Sequence, residues 1–494
     1  MATESAQGDG AIVLSSSSVA GTTGDVALPR FGVRWDRLPL PRVRVALGPV
    51  AGRIALASVI VSALALVLFS SSGPTVLVPR SNEVFPGWFA GPLHLLSKGL
   101  PNGVYTLSFG LTGVLVVMLL AYFVILASAR TLSMRLIAGC IVLLHVILLM
   151  SPPLQLTDLF NYLGYARLGA LHGLNPYTHV ILGETHDPVY RFSTWHNLHS
   201  PYGPLFTAIT YLLPLGSLSL SYWLLKVITV LASLGFLALV WRCAVSLGRD
   251  PRFALAFVAL NPIYLVYAIG GFHNDFFMLI PSMAAIALLL ARRDRYAGAV
   301  LMLAVAVKFT AVLLLPFLLV AVRPSRVRMR HILEGALLGA IPLVALSLAL
   351  FGFSLPNLQD QSTLLTDFSV PNVIGLVIGG GGTPTLLRLI DLVVVVCVLW
   401  LLFKARGDWI SRAGWATLGL LLSLAWLMPW YVIWVAPLAA LGTSVRLRRA
   451  TLAFSVFIVL TFLPAFSIYL TYKGINPLAS PAGAASQKLQ QKLA

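Results

Sequence analysis

The charged side chains of this sequence are few, and those that could do chemistry fall where an otherwise apolar chain is interrupted. The longest interruption runs from Ser151 to Pro204: SPPLQLTDLFNYLGYARLGALHGLNPYTHVILGETHDPVYRFSTWHNLHSPYGP. It holds Asp158, Glu184 and Asp187 with His172, His179, His186, His196 and His199. Asp158 follows soon after an apolar segment ends. A carboxylate at a membrane–water boundary sits in a mixed dielectric, which raises its pKa. That tuning suits a general base taking a proton from a hydroxyl. The competing reading is local: Asp158 caps the helix starting at Leu159, or Thr157 caps it and Asp158 complements its dipole.

Three further groups bear on the same chemistry. His273, Asn274 and Asp275 stand together between two apolar segments. They form either a solvated turn or a polar cavity that binds a hydroxyl or a phosphate. Lys308 is a lone cation within AVAVKFTAV. It either snorkels to an interface or captures a lipid-linked phosphate, for which Arg167, Arg191 and Arg388 are further candidates. Aromatic residues gather at the same boundaries, Trp195, Tyr202, Trp430, Tyr431 and Trp434 among them, as interfacial anchors or as stacking surfaces for sugar. The substrate-binding candidates are Tyr162, Asn175, Tyr177, Tyr202, His273, Asn274, Asp275, Trp430 and Tyr431. HNLH spaces His196 and His199 three apart, but no acidic residue completes a zinc-protease pattern, so neither a metal nor another cofactor is expected. Cys140, Cys243 and Cys397 show no redox or ligand spacing and read as small core residues.

The elements that must position these groups follow from composition. Of 494 residues, 58% are hydrophobic and 10% charged, whereas a soluble domain has about a quarter charged. Alternating strand patterns are absent, which excludes a transmembrane barrel. The expected fold is an all-α polytopic membrane protein with about 12 to 14 transmembrane helices, each needing about 20 apolar residues. The net charge of +18 has its source in short Lys/Arg clusters between apolar segments, as cytoplasmic loops require, and gives no case for nucleic acid as a partner. The expected organisation is a largely disordered basic cytoplasmic tail over 1–50, a transmembrane catalytic domain over 51–475 and a short polar C-terminal tail over 476–494.

The same charge rule sets orientation. Arg30, Arg34, Arg37, Arg42 and Arg44 precede the first apolar segment, and Arg130 and Arg135 flank the turn after the second. Both then lie in the cytoplasm, and 151–204 faces outward. Whether 205–241 crosses once or twice is open. Lys308 has basic clusters on both sides (RRDR before, RPSRVRMR after), so its segment is expected to be a helical hairpin turning near Lys308. Outward loops then collect Glu83, Asp158, Glu184, Asp187, Asp275, Asp360 and Asp367. With no Walker loop or dinucleotide fingerprint, an enzyme working on that face needs a donor delivered through the lipid, such as a polyprenyl phosphate sugar.

The segments TDLFNYLGYARLGALHGLNPY, SPYGPLF, LNPIYLVYAIGGFHNDF, AVAVKFTAVLLLP and LMPWYVIWVAPLAAL, in that order, resemble the actinobacterial polyprenol-phosphate-mannose-dependent α-1,6-mannosyltransferases, large membrane glycosyltransferases of the GT-C fold. The resemblance implies extracytoplasmic loops carrying the active site, a plasma-membrane location, and a catalytic Asp in an outward loop after a span, a position only Asp158 occupies. One departure is that two further apolar segments precede this Asp. The resemblance also implies a polyprenyl-phosphate-mannose donor, a mannoside or lipoglycan acceptor, and inverting transfer with cationic side chains stabilising the leaving phosphate. The alternatives are a transferase of the same fold for another lipid-linked sugar such as arabinose, and a transporter or flippase for a lipid-linked sugar. A transporter predicts inverted repeats and broken helices at the midplane, whereas no internal repeat is visible here and the polar residues sit at the boundary.

Overall fold

Runs rich in Leu, Val, Ile and Ala, with few charges, become long helices. Five of them, of 20 to 29 residues, are long and apolar enough to cross a membrane. They include α1 (Pro49–Ser71), and α2 (Val104–Ser128) with the short turn after it. A shorter apolar helix, α3 (Met134–Leu149), precedes the polar stretch. The computed structural model describes residues 47–214, 216–356, 363–405 and 407–494. Nearly all of the basic tail expected over 1–50, with its Arg30–Arg44 cluster, lies outside the described residues, as do Asp360 and Arg406. The described chain is helical and without β-strands, an all-α polytopic membrane protein.

In the polar stretch, α4 (Leu159–Ala170) is followed by short turns. Only a seven-residue helix, Pro204–Thr210, comes before α5 (Leu218–Ser246), so 205–241 holds one helix long and apolar enough to cross. Next, α6 (Pro251–Ala259) and a π-helical segment, Ile263–Ile269, form an apolar pair bent by 54° at the break between them. Pro262 lacks the N–H that would continue the helix. Asn261 services the break: its Oδ1 accepts from the Ile263 N–H at 2.9 Å and its Nδ2 donates to Ser455 at 3.1 Å. Five long helices and two bent pairs are thus the candidate spans among the described residues. Four apolar helices of 10–17 residues also belong to the bundle, as do the helices Asp294–Val307 and Trp409–Ser423.

The segment around Lys308 folds back on itself. The chain runs through α7 (Asp275–Leu290), α8 (Asp294–Val307), α9 (Leu314–Ala321) and α10 (Arg326–Phe351). Lys308 breaks the helix with extended angles, φ −153° and ψ 115°. α8 and α10 run parallel from the same end: Gly298 abuts Ile332, Gly335 abuts Arg295, and Gly339 abuts Ala299. A side chain at Gly335 would collide with the Arg295 carbonyl, so the GALLG repeat is what allows this approach. Ion pairs fasten the shared end, Arg328 to Asp294 at 2.7 Å and Arg295 to Glu334 at 3.0 Å. Since α10 starts where α8 starts, the chain must return after Lys308, which leaves Lys308 about 20 Å away at the other end, at 1.5 Å per residue.

Basic residues collect at the end opposite Lys308. Arg252 donates to the Arg130 carbonyl at 2.8 Å, Arg249 to Leu441 at 3.3 Å, and Arg448 to Gly442 at 3.0 Å. The C-terminal third contains α11 (Pro384–Phe403), α12 (Trp409–Ser423), α13 (Val432–Leu441), and a second bent pair, α14 (Val445–Thr461) with α15 (Pro464–Tyr472), at 55°. The residues read as a short polar tail fold into α16 (Pro481–Leu493). Ser480 caps this helix and Pro481 opens it, a strong start signal. The helix docks on the polar stretch, where Asn197 N–H donates to the Leu493 carbonyl at 2.9 Å.

Candidate active site

Asp158 stands at the start of α4, yet its carboxylate makes no capping hydrogen bond. Thr157 does that work: its Oγ1 accepts from the Leu159 N–H at 3.1 Å and donates to the Gly271 carbonyl at 2.8 Å. Leu154 N–H donates to the Gly270 carbonyl at 2.8 Å. The polar stretch is thereby fastened to the 270–276 turn. Gln155, Leu156 and Phe272, beside these contacts, adopt left-handed φ values of 28°, 50° and 54°. Such conformations cost about 1–2 kcal/mol each for residues with a Cβ, and they cluster where a structure must aim a functional group.

That junction brings His273, Asn274 and Asp275 beside Asp158. His273 Nδ1 lies 3.8 Å from Asp158 Oδ2. Trp430 stacks on the imidazole with centroids 3.5 Å apart and planes at 15°. Burial, and then the positive charge of Lys308, hold the His273 pKa well below its usual value, so the ring is neutral and the contact is not an ion pair. Tyr162 reaches both neighbours, with its hydroxyl 3.5 Å from His273 Nδ1 and 3.4 Å from Asn274 Oδ1. Asp275 is 1% exposed. Its Oδ1 accepts from Lys308 Nζ at 2.8 Å and from Trp434 Nε1 at 2.6 Å. Buried polar atoms are nearly always partnered, but His273 Nε2, Asn274 Nδ2 and Asp275 Oδ2 are not.

Lys308 is the cation of this wall. Its ammonium lies 4.9 Å from the Tyr431 ring centroid and 4.7 Å from that of Trp434, and 22% of the side chain is open. The SPYGP turn seats against the end of α8 beside it, with Gly203 N–H donating to the Val307 carbonyl at 3.1 Å. A Cβ at Gly203 would strike the Ala306 and Val307 carbonyls.

Asp158, Lys308, Tyr202, Trp430 and Tyr431, with Asn274, line a cavity of about 730 Å³, whereas the candidates Tyr162, His273 and Asp275 stand behind that wall and do not line it. Asp158 presents 21% of its side chain. Burial pushes its carboxyl up to about 7; Lys308 and hydrogen bonds from Tyr202 and Trp195 pull it down, and Asp275 adds to the rise. A carboxylate with that value accepts a proton readily near neutral pH.

Several sequence candidates stand elsewhere. Arg167 does not line the cavity; it pairs with buried Asp187 at 2.8 Å. Arg191 is exposed and meets Arg80 only through its carbonyl. Arg388 lies exposed on α11, away from the cavity. None of these three arginines is therefore brought to Lys308 to share a phosphate. Asn175 donates to the Phe351 carbonyl at 2.9 Å, and the Tyr177 hydroxyl donates to the Tyr202 carbonyl at 2.9 Å, so both shape the loop. His196 stacks on Tyr190 and bonds its carbonyl. Among the described residues no group of three or more His, Cys, Asp or Glu is arranged to hold a metal ion.

Sequence reasoning leaves out other lining residues: Asp367, Trp426 and Gln490 of α16. Asp367 is visible in the sequence as an outward acid, but nothing local ties it to Asp158. The Ser-Pro start before an Ala/Gln/Lys/Leu run signals α16 as a helix, though not its docking site.

A family model described as "Alpha-(1->6)-mannopyranosyltransferase, N-terminal domain" matches residues 60–324, more than half of the chain. The chain belongs to this family. A second model, "MptB C-terminal domain", matches residues 383–484. Asp158, the 273–275 cluster and Lys308 fall in the first match and Trp430 and Tyr431 in the second, whereas Asp367 and Gln490 lie outside both. "Alpha-(1->6)-mannopyranosyltransferase A" of Mycobacterium tuberculosis is 29% identical over 359 residues, 64% of this chain and 67% of that protein. The Corynebacterium glutamicum protein of the same name is 30% identical over 188 residues, covering 34% and 35% of the two chains. A "Probable alpha-(1->6)-mannopyranosyltransferase" of Mycolicibacterium smegmatis is 26% identical over 428 residues, 73% of this chain and 75% of that one. No solved structure matches the chain.

Proposed function

We propose that this chain, a glycosyltransferase by family, transfers mannose from polyprenyl phosphate mannose to a hydroxyl of a mannoside or lipoglycan acceptor, forming an α-1,6 linkage with inversion. One observation carries the reading: a partly open carboxylate outside any ion pair with Lys or Arg, Asp158, whose pKa burial raises to about 7, and a partly open ammonium, Lys308, line the same cavity. Asp158 takes the proton of the acceptor hydroxyl. The hydroxyl oxygen attacks the anomeric carbon as the bond from that carbon to the phosphate oxygen breaks. The electron pair leaves with the polyprenyl phosphate, whose charge Lys308 stabilises. A phosphate leaves without protonation, so one carboxylate suffices. An α product formed by inversion requires a β-linked donor.

The basic clusters at the opposite end support an extracytoplasmic cavity in the plasma membrane, because Lys and Arg collect in cytoplasmic loops. The test is incubation of the purified protein with polyprenyl phosphate mannose and a short α-mannoside. Mannosyl transfer by the unmodified protein and its loss in Asp158→Asn are the expected results. Turnover that survives the substitution removes Asp158 as base. Transfer from polyprenyl phosphate arabinose in place of mannose would reassign the sugar.

A further inference from the structure

The cavity is lined by charges of both signs, Lys308 on one side and the carboxylates of Asp158 and Asp367. Beyond Asp158 it continues along Trp195 and Trp426, whose rings meet edge to face at 6.1 Å, to Asp367. Trp426 and Asp367 are held together by the backbone: Thr366 N–H donates to the Ala425 carbonyl at 3.0 Å, and Leu427 N–H to Thr366 Oγ1 at 3.3 Å. α16 braces this wing. Leu493 packs with Leu198 and Leu364, Ser486 Oγ accepts from the Leu365 N–H at 2.7 Å, and Gln490 reaches the cavity. Asp367 itself is exposed and makes no ion pair with any described residue, so its carboxylate is available to a ligand.

We infer that the wing formed by Trp195, Trp426 and Asp367 is the acceptor subsite, and that it takes a neutral oligosaccharide with adjacent hydroxyls; this rests on the glycosyltransferase reading above. Charge decides the assignment. An anionic donor head is attracted to Lys308 and repelled by an open carboxylate, so the Asp367 end excludes the phosphate and admits an uncharged polyol. Indole faces offer apolar area to the C–H face of a pyranose, and a carboxylate accepts from hydroxyls in the stronger, charge-assisted class of hydrogen bond. The order Asp158, Trp195, Trp426, Asp367 then places the attacking hydroxyl at the base and the preceding sugar rings along the indoles. Of the wing, Trp195 and Trp426 lie within the residues that the family models match, and Asp367 lies outside them.

The test separates binding from turnover. The full-length Asp158→Asn protein, which retains the wing, is titrated with α-1,6-mannotriose and, separately, with polyprenyl phosphate, following tryptophan fluorescence. Adding Asp367→Asn should weaken mannotriose about tenfold, the size expected for a lost hydrogen bond to a charged group, and leave polyprenyl phosphate unchanged. Asp367→Glu should recover part of the loss, and Trp426→Phe should reduce the fluorescence change. Equal mannotriose affinity with and without Asp367→Asn, or an equal loss for both ligands, overturns the subsite. If the unmodified protein fails to transfer mannose while mannotriose binding still depends on Asp367, the proposed function falls and the subsite stands. If it transfers mannose while binding is indifferent to Asp367, the function stands and the subsite falls.

Discussion

Arg167 meets Asp187 at 2.8 Å, and Lys308 meets Asp275 at the same distance. The first pair is closed. Burial works against the Asp187 carboxylate, but hydrogen bonds from Arg167, His172 and the Val189 N–H outweigh it and hold its pKa below the usual range. Arg167 is 10% exposed and away from the cavity. The second pair is open: Asp275 keeps an oxygen without a partner, and the ammonium of Lys308 faces the cavity. A saturated pair fixes a loop, whereas an unsaturated pair beside a cavity can exchange a partner for a ligand. Distance alone does not distinguish the two.

The largest test of this contrast is at Asp158. Asp158→Asn should lower transfer by about 10²–10⁴-fold, the range for a lost general base, with the fold intact. A loss below tenfold breaks the assignment. Lys308→Met should lower transfer by about 10²-fold through lost stabilisation of the leaving phosphate, but it also strands the buried Asp275 charge, which costs about 3 kcal/mol. Lys308→Met with Asp275→Asn should recover thermal stability without recovering activity. Recovery of both would make the pair structural, like its counterpart.

The pH profile is a smaller lever. Transfer should rise about tenfold per pH unit below the Asp158 value of about 7 and level off above it. The folded-state pKa is raised, so the folded chain holds this proton more tightly than the unfolded one. The stability it contributes is complete below an unfolded value near 4 and is lost as pH rises through about 7. Asp158→Asn should therefore raise the melting temperature at pH 8 and leave it nearly unchanged at pH 4. The smallest effect on chemistry is expected at the closed pair. Arg167→Met should cost about 3 kcal/mol of stability while the folded fraction keeps its kcat, and a kcat loss matching that of Lys308→Met would erase the distinction.

These residues also mark how far the sequence can be read. Lys308 and the 273–275 cluster stand out because ionisable groups in apolar segments are costly and therefore rare. The hairpin at Lys308 follows from basic clusters on both sides. Arg167, Arg191 and Arg388 are legible only as cations. Two occupy a polar stretch where charges are common and the third an exposed helix face, and no local pattern says which of them already has a partner. Asp158 is ambiguous in the sequence between cap and base, and only the position of Thr157 in the fold frees it from the capping role.

By itself the sequence determined the helical membrane fold, the segregation of basic residues to one end, and the polar stretches that carry the chemistry, because lipid tolerates long charge-free helices and sets a high cost on everything else. Tertiary structure decided which charges are free, that Asp367 and α16 share a cavity with Asp158, and that Asn175 and Tyr177 serve the loop. Those outcomes depend on contacts between residues far apart in the chain, among them Lys308 with Asp275, Trp434 with Asp275, and Asn197 with Leu493. Packing selects such partners, and no periodicity or spacing records the choice.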